Sequence, residues 1–92
     1  MSKNVLVTGS SNGIGAATAI AFAQKGWNVG ITYCKNPEGA QKIQQECLRY
    51  GVDARIYRAD FQYREDCERL MKEYLVDFKT IDVLINNAGG AL

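Results

Sequence analysis

The chain has 92 residues, 47% of them hydrophobic and 23% charged, with a formal net charge of +1. That balance excludes a disordered, collagen-like or coiled-coil chain and gives no reason to expect a nucleic-acid partner. Three cysteines at irregular spacing, with no histidine, exclude a disulfide framework and a structural zinc site. Reduced thiols in a cytoplasmic protein are the expectation, and no apolar run approaches a membrane span or a signal-peptide core.

Asn4 to Thr8 reads as a buried parallel strand, because Val5, Leu6 and Val7 are apolar on consecutive positions. A glycine-rich turn follows, then a helix to Lys25 with Ile14, Ala17, Thr18, Ala21 and Phe22 as its apolar stripe and Gly26 as its stop. Trp27 to Tyr33 is a second strand with Val29 and Ile31 as core residues. Gly30 weakens it, so packing must hold it. Asn36-Pro37-Glu38 is a helix start: a capping side chain, a proline in the first turn, an acid beside it. That helix runs to about Arg49, with Ala40, Ile43, Cys47 and Leu48 inward, and Gly51 ends it.

Val52 to Ala59 is the third strand, Val52, Ala54 and Ile56 alternating against Asp53 and Arg55. Tyr63 to Phe78 is the third helix, with Cys67, Leu70, Met71, Tyr74, Leu75 and Phe78 at helical spacing. Glu65–Arg69 and Glu68–Lys72 have the spacing of favourable ion pairs on its solvent side. Ile81 to Asn86 is the fourth strand. Strands alternating with helices predict an α/β fold with a parallel sheet and right-handed crossovers. With the glycine turn after the first strand, the expected architecture is the doubly wound dinucleotide-binding (Rossmann) sheet, in part, with strand order 3-2-1-4. Ligand then binds at the carboxyl ends of strands one and four, where the connections diverge.

Gly9, Gly13 and Gly15 lie between that buried strand and that helix start. A helix N-terminus offers unpaired N–H groups and the positive end of the peptide dipoles, and glycine lets a phosphate approach the backbone. A tight turn without a ligand is the plain alternative. Some twenty residues on, where an acid would bond a 2′-hydroxyl and favour NAD, the chain has Thr32-Tyr33-Cys34-Lys35. Lys35 can pair with a 2′-phosphate, which favours NADP and leaves NAD possible; an ordinary surface lysine is the alternative. Asp60, at the carboxyl end of strand three, can accept from the adenine amino group or cap the next helix. Asn86-Asn87-Ala88-Gly89 can bond neighbouring strands and meet a ribose, or form only a turn.

Together these residues resemble the short-chain dehydrogenase/reductase family, with 3-oxoacyl-carrier-protein reductases and sugar dehydrogenases the nearest members. Thr8-Gly9-Ser10-Ser11-Asn12-Gly13-Ile14-Gly15 looks like its TGxxxGIG and Asn86-Asn87-Ala88-Gly89 like its NNAG, while Asp60-Phe61 stands where the family holds adenine through a side chain and a backbone group. The resemblance implies that Ser11, Asn12 and Ile14 meet the pyrophosphate and adjacent ribose, alongside the cofactor-binding Gly9, Gly13 and Gly15 of the turn. It implies that Asn87, Ala88 and Gly89 line the ribose near the nicotinamide. Asn12 is a departure, since NADP-using members often carry a basic residue there; Lys35 is left as the candidate for the 2′-phosphate.

The family's catalytic Ser, Tyr-x-x-x-Lys and further Asn all lie downstream of NNAG, and none of Tyr33, Tyr50, Tyr57, Tyr63 and Tyr74 has a lysine four residues on. Residues 1–92 are therefore expected to be the N-terminal part of one NAD(P)-binding Rossmann domain, cut before the catalytic segment. For the intact protein the resemblance implies a hydride-transferring oxidoreductase acting on a small carbonyl or alcohol, homo-oligomeric, with neither nucleic acid nor membrane as partner. A nucleotide-binding module without catalysis, or a small strand-exchanging chain whose turn binds nothing, are the alternatives. In a chain ending at residue 92, without the strands and helices that would cover strand four, its apolar edge is expected to be exposed.

Overall fold

The computed structural model describes residues 3–9 and 13–87. In chain order the elements are β1 (Asn4–Val7), α1 (Gly13–Gln24), β2 (Asn28–Tyr33), α2 (Pro37–Leu48), β3 (Ala54–Arg58), α3 (Arg64–Phe78) and β4 (Val83–Ile85). The strands form one parallel sheet in the order β3-β2-β1-β4. The expected doubly wound architecture and its strand order are therefore observed.

The sheet separates two cores, because alternate residues of a strand point to opposite faces. Val5, Val7, Val29, Ile31 and Ala54 pack under α1 and α2 against Ala19, Ala23, Ala40 and Cys47. On the other face Leu6, Tyr57 and Ala59 pack against Leu70, Tyr74 and Phe78 of α3. A side chain on Gly30 would project into this second core. Its Cβ would lie 3.0 Å from both Leu6 Cδ1 and Tyr74 Cε2. The glycine that weakens β2 in isolation makes room for the Tyr74 ring, which is fully buried.

The buried face of α1 differs from the expected stripe. Gly15, Ala16, Ala19 and Ala23 face the sheet, whereas Ala17 and Ala21 are exposed and Ile14 is 78% exposed. The helix is apolar or small on every side, so periodicity alone does not single out a face. Close approach to the sheet selects the smallest side chains. Phe22 is half-buried, edge-on to Trp27 with ring centroids 4.9 Å apart. Trp27 belongs to the turn after α1, its N–H bonded to the Phe22 carbonyl, rather than to β2.

Helix boundaries follow the expected chemistry. Asn36 Oδ1 accepts from the Gly39 N–H at 3.0 Å, with Pro37 in the first turn of α2. Gly26 and Gly51, past the ends of α1 and α2, have φ of +89° and +80°, angles that glycine adopts without strain. The two expected ion pairs on α3 are not formed. Arg69 instead meets Asp66 at 3.1 Å and Glu73 at 3.8 Å.

The amino-terminal edge of the sheet carries a chain of amides. The Asp53 N–H donates to Asn28 Oδ1 (2.9 Å), and Asn28 Nδ2 donates to Asn4 Oδ1 (3.0 Å). Asn4 Nδ2 donates to Thr80 Oγ1 (2.9 Å) and to the Phe78 carbonyl (3.2 Å). These bonds link the start of β3 to the end of α3 and fix the sheet from the side away from the glycine turn.

Candidate dinucleotide site

The carboxyl ends of β1, β2 and β4 are tied together around Thr8 and Gly9. Thr8 Oγ1 accepts from the Asn87 N–H at 2.8 Å and lies within hydrogen-bond distance of the Ile85 carbonyl and Asn86 Oδ1. Asn87 Nδ2 donates to the Gly9 carbonyl at 3.4 Å. The Gly9 N–H donates to the buried Thr32 Oγ1 at 2.8 Å, which brings in the end of β2. Two threonine hydroxyls and one asparagine thus hold the glycine turn against two neighbouring strands.

The three glycines have separate causes. Gly9 and Gly13, at the two ends of the turn, have φ of +63° and +61°. A Cβ on Gly13 would meet no described atom, so its requirement is backbone conformation. Gly15 is the reverse case. A Cβ there would collide with the Gly9 carbonyl and lie 2.7 Å from Asn87 Nδ2. Its absence lets the first turn of α1 lie against the end of β1, and a helix N-terminus carries unpaired N–H groups.

Lys35 is exposed two residues after β2, on this edge, and makes no ion pair among the described residues. Asp60 stands beside the end of β2, because the Ala59 N–H continues the ladder to the Tyr33 carbonyl. Its carboxylate does not cap α3. Asp60 Oδ1 accepts from the Gln62 N–H at 3.0 Å, and the N-cap of α3 is Tyr63, whose side chain makes no capping bond. Asp60 Oδ2 and the Phe61 N–H have no hydrogen-bond partner among the described residues. The Phe61 ring lines an apolar cleft of about 180 Å³ with Thr8, Cys67, Met71, Leu84 and Asn86.

Ile14, at the start of α1, is exposed on the same edge. The structure therefore brings together Gly9, Gly13, Ile14, Gly15, Lys35, Asp60, Phe61 and Asn87 at one sheet edge. Ser11, Asn12, Ala88 and Gly89 lie outside the described residues.

Sequence reasoning missed Asp66. Its carboxylate accepts from the Asp60 N–H at 2.8 Å. That bond is the main cause holding it below the usual carboxylate range; burial opposes it, and Arg69 and then Arg58 add to the lowering. A helix-surface charge pattern was the visible signal, and it points to side-chain pairs rather than to a backbone N–H. The buried tyrosines are not activated groups of this edge. Burial pushes Tyr74 up to about 12, and burial with Asp77 pushes Tyr57 higher still.

The sheet order, the diverging connections and the strand–glycine turn–helix unit define a dinucleotide-binding α/β fold. The family model for short chain dehydrogenases matches residues 3–92. A 3-oxoacyl-[acyl-carrier-protein] reductase, FabG, of Staphylococcus aureus is 37% identical over 89 residues, covering 97% of this chain and 36% of that protein. The crystal structure of acetoin dehydrogenase YohF from Salmonella typhimurium superposes with a TM-score of 0.90 at 34% identity, over 97% of this chain and 37% of that one. The NADH-dependent reductase A1-R′, in complex with NAD, gives a TM-score of 0.88 at 40% identity, over 97% and 37%. The chain belongs to the short-chain dehydrogenase family. It spans a little over a third of the relatives it matches. Among the described residues no helix is long and apolar enough to cross a membrane.

Proposed function

We propose that this chain binds the dinucleotide of an NAD(P)-dependent oxidoreductase and is the N-terminal, cofactor-holding part of its single Rossmann domain. The observation that carries the reading is the Thr8–Asn87–Gly9–Gly15 junction, which sets a positive-φ turn and a helix N-terminus at the switch point of the sheet. The glycine turn and the α1 N-terminus are suited to a pyrophosphate. In this reading Gly9, Ser11, Asn12, Gly13, Ile14 and Gly15 hold the pyrophosphate and its ribose, and Asn87, Ala88 and Gly89 hold the ribose next to the nicotinamide. Adenine offers an amine donor beside a ring-nitrogen acceptor. Asp60 Oδ2 and the Phe61 N–H, an acceptor and a donor on adjacent residues, match that pair.

Lys35 favours a 2′-phosphate and therefore NADP, by charge pairing; NAD is the competing cofactor. The bound nicotinamide supplies the hydride acceptor or donor. This chain's residues bind and orient it. For the whole protein we propose reversible oxidation of an alcohol or reduction of a carbonyl on a small-molecule substrate, with proton transfer from residues beyond NNAG. The family resemblance further supports a homo-oligomeric, cytoplasmic enzyme with neither nucleic acid nor membrane as partner, and a 92-residue chain that is inactive alone.

Equilibrium titration of the chain with NADP and with NAD tests this. Saturable one-to-one binding, tighter for NADP, is expected. No saturation by either dinucleotide removes the reading.

A further inference from the structure

The connection between β3 and α3 is held by a cluster that makes none of the proposed ligand contacts. Asp66, in the first turn of α3, reaches back past the helix start, and its Oδ2 accepts from the Asp60 N–H at 2.8 Å. Its Oδ1 accepts from Arg69 Nη1 at 3.1 Å, and Arg58 Nη1 lies 3.8 Å from Oδ2. Arg69 Nη2 also donates to the Arg58 carbonyl at 2.7 Å. The last residue of β3, the first residue of the turn and the first turn of α3 are thereby joined through one carboxylate, which is 16% exposed.

The joint has a consequence for Asp60. An acid in the third helical position ordinarily returns to the N–H of the capping residue. Here it passes Tyr63 and takes the N–H of Asp60 instead. The Tyr63 N–H bonds the Asp60 carbonyl at 3.0 Å, and the Gln62 N–H bonds Asp60 Oδ1 at 3.0 Å. Backbone donor, backbone acceptor and one carboxylate oxygen of Asp60 are all engaged within the turn. Its second carboxylate oxygen and the next N–H in the chain, that of Phe61, are the groups left without a hydrogen-bond partner among the described residues.

We propose that Asp66 is a positioning residue for adenine recognition: by closing the Asp60 N–H it holds the turn in the one shape that presents Asp60 Oδ2 and the Phe61 N–H as an adjacent acceptor and donor. This rests on the reading of Asp60 and Phe61 as the adenine contacts. Asp66 itself touches no ligand. Its effect is on which base is preferred, because a loosened turn no longer fixes the spacing of acceptor and donor.

The test compares NADP with its hypoxanthine analogue, which carries a carbonyl where adenine carries the amine. The wild-type chain is expected to prefer adenine, and Asp66→Ala to lose about tenfold in affinity for the adenine form, the scale of one hydrogen bond to a charged group, with little change for the hypoxanthine form. Asp66→Asn keeps an oxygen for the Asp60 N–H and should restore most of the preference. A merely structural role would weaken both ligands alike. Full adenine preference in Asp66→Ala overturns the positioning role. Absence of preference in the wild type instead overturns the Asp60–Phe61 reading on which it rests. Amide exchange addresses the latch without any ligand. Asp66→Ala should lose protection at the Asp60 N–H and keep it at Val7 and Ile31, and unchanged protection at Asp60 overturns the proposal.

Discussion

Gly15 and Asn87 share one space. A Cβ on the glycine would lie 2.7 Å from the asparagine Nδ2, the same nitrogen that donates to the Gly9 carbonyl. The beginning of α1 and the residue after β4 are 72 positions apart in sequence, 87 minus 15. They meet only because β4 pairs with β1. Gly15→Ala is therefore expected to cost about 3 kcal/mol of stability, as overpacking against backbone that has little room to move. Gly13→Ala adds a side chain in open space at φ +61° and should cost only about 1–2 kcal/mol from the backbone conformation. Urea unfolding of the two variants checks the order; equal losses contradict it.

Gly30 makes a comparable prediction in the second core. A methyl group there would press on the Tyr74 ring and Leu6 at 3.0 Å. Gly30→Ala should destabilise by about 1–3 kcal/mol although alanine suits a strand better than glycine. Combined with Tyr74→Leu, the penalty of the alanine should shrink, since the two sites share one contact. Additive losses in a double-mutant cycle would argue against the packing account.

Alkaline stability follows from Tyr74. Its hydroxyl donates to the Thr80 carbonyl at 2.8 Å, and burial raises its pKa to about 12 from the ordinary 10.0. The folded state keeps the proton while the unfolded state releases it. The contribution is thus complete below pH 10 and is lost as pH rises toward 12, by about 2–3 kcal/mol in total. Tyr57, raised in the same direction, steepens the fall. Tyr74→Phe should flatten the decline of the urea midpoint between pH 10 and 12. An unchanged slope would show that this phenol titrates alike in both states.

Lys35 is expected to set the choice of cofactor. Lys35→Asp places an acid where a 2′-hydroxyl would be bonded and a 2′-phosphate repelled. The ratio of NADP to NAD affinity should fall by about tenfold or more, the scale of one charge-assisted contact. A ratio unchanged by the substitution removes Lys35 from the site.

The parts of the fold legible in the sequence were those carried by pattern. Val5-Leu6-Val7 is uniformly apolar because this central parallel strand is covered on both faces, and Val83-Leu84-Ile85 carries the same apolar run on a strand that is only partly covered. Leu84, 54% exposed, bears out the expectation of an exposed apolar fourth strand. The Asn36-Pro37 start and the glycine stops are local chemistry and needed no partner. The buried face of α1 was not legible, because alanines surround that helix and only the neighbouring sheet chooses among them. Asn4 and Asn28 are directly paired in register at the start of their strands. Their amide chain depends on that register, which neither local sequence reveals. Asp60 was legible as a residue at the right edge, while the bond that arranges it comes from Asp66. A carboxylate reaching six residues back to a backbone N–H leaves no periodic mark.

The most direct test of dinucleotide binding at the carboxyl edge is residue-by-residue mapping of amide resonances as NADP is added to the chain. Saturable shifts concentrated at Gly9, Gly13, Ile14, Lys35, Phe61 and Asn87, with Asn4, Asn28 and Asp53 at the opposite edge unmoved, are the expected result. Shifts centred on the Asn4–Asn28 edge, or no saturable shift at the glycine turn, would contradict the account.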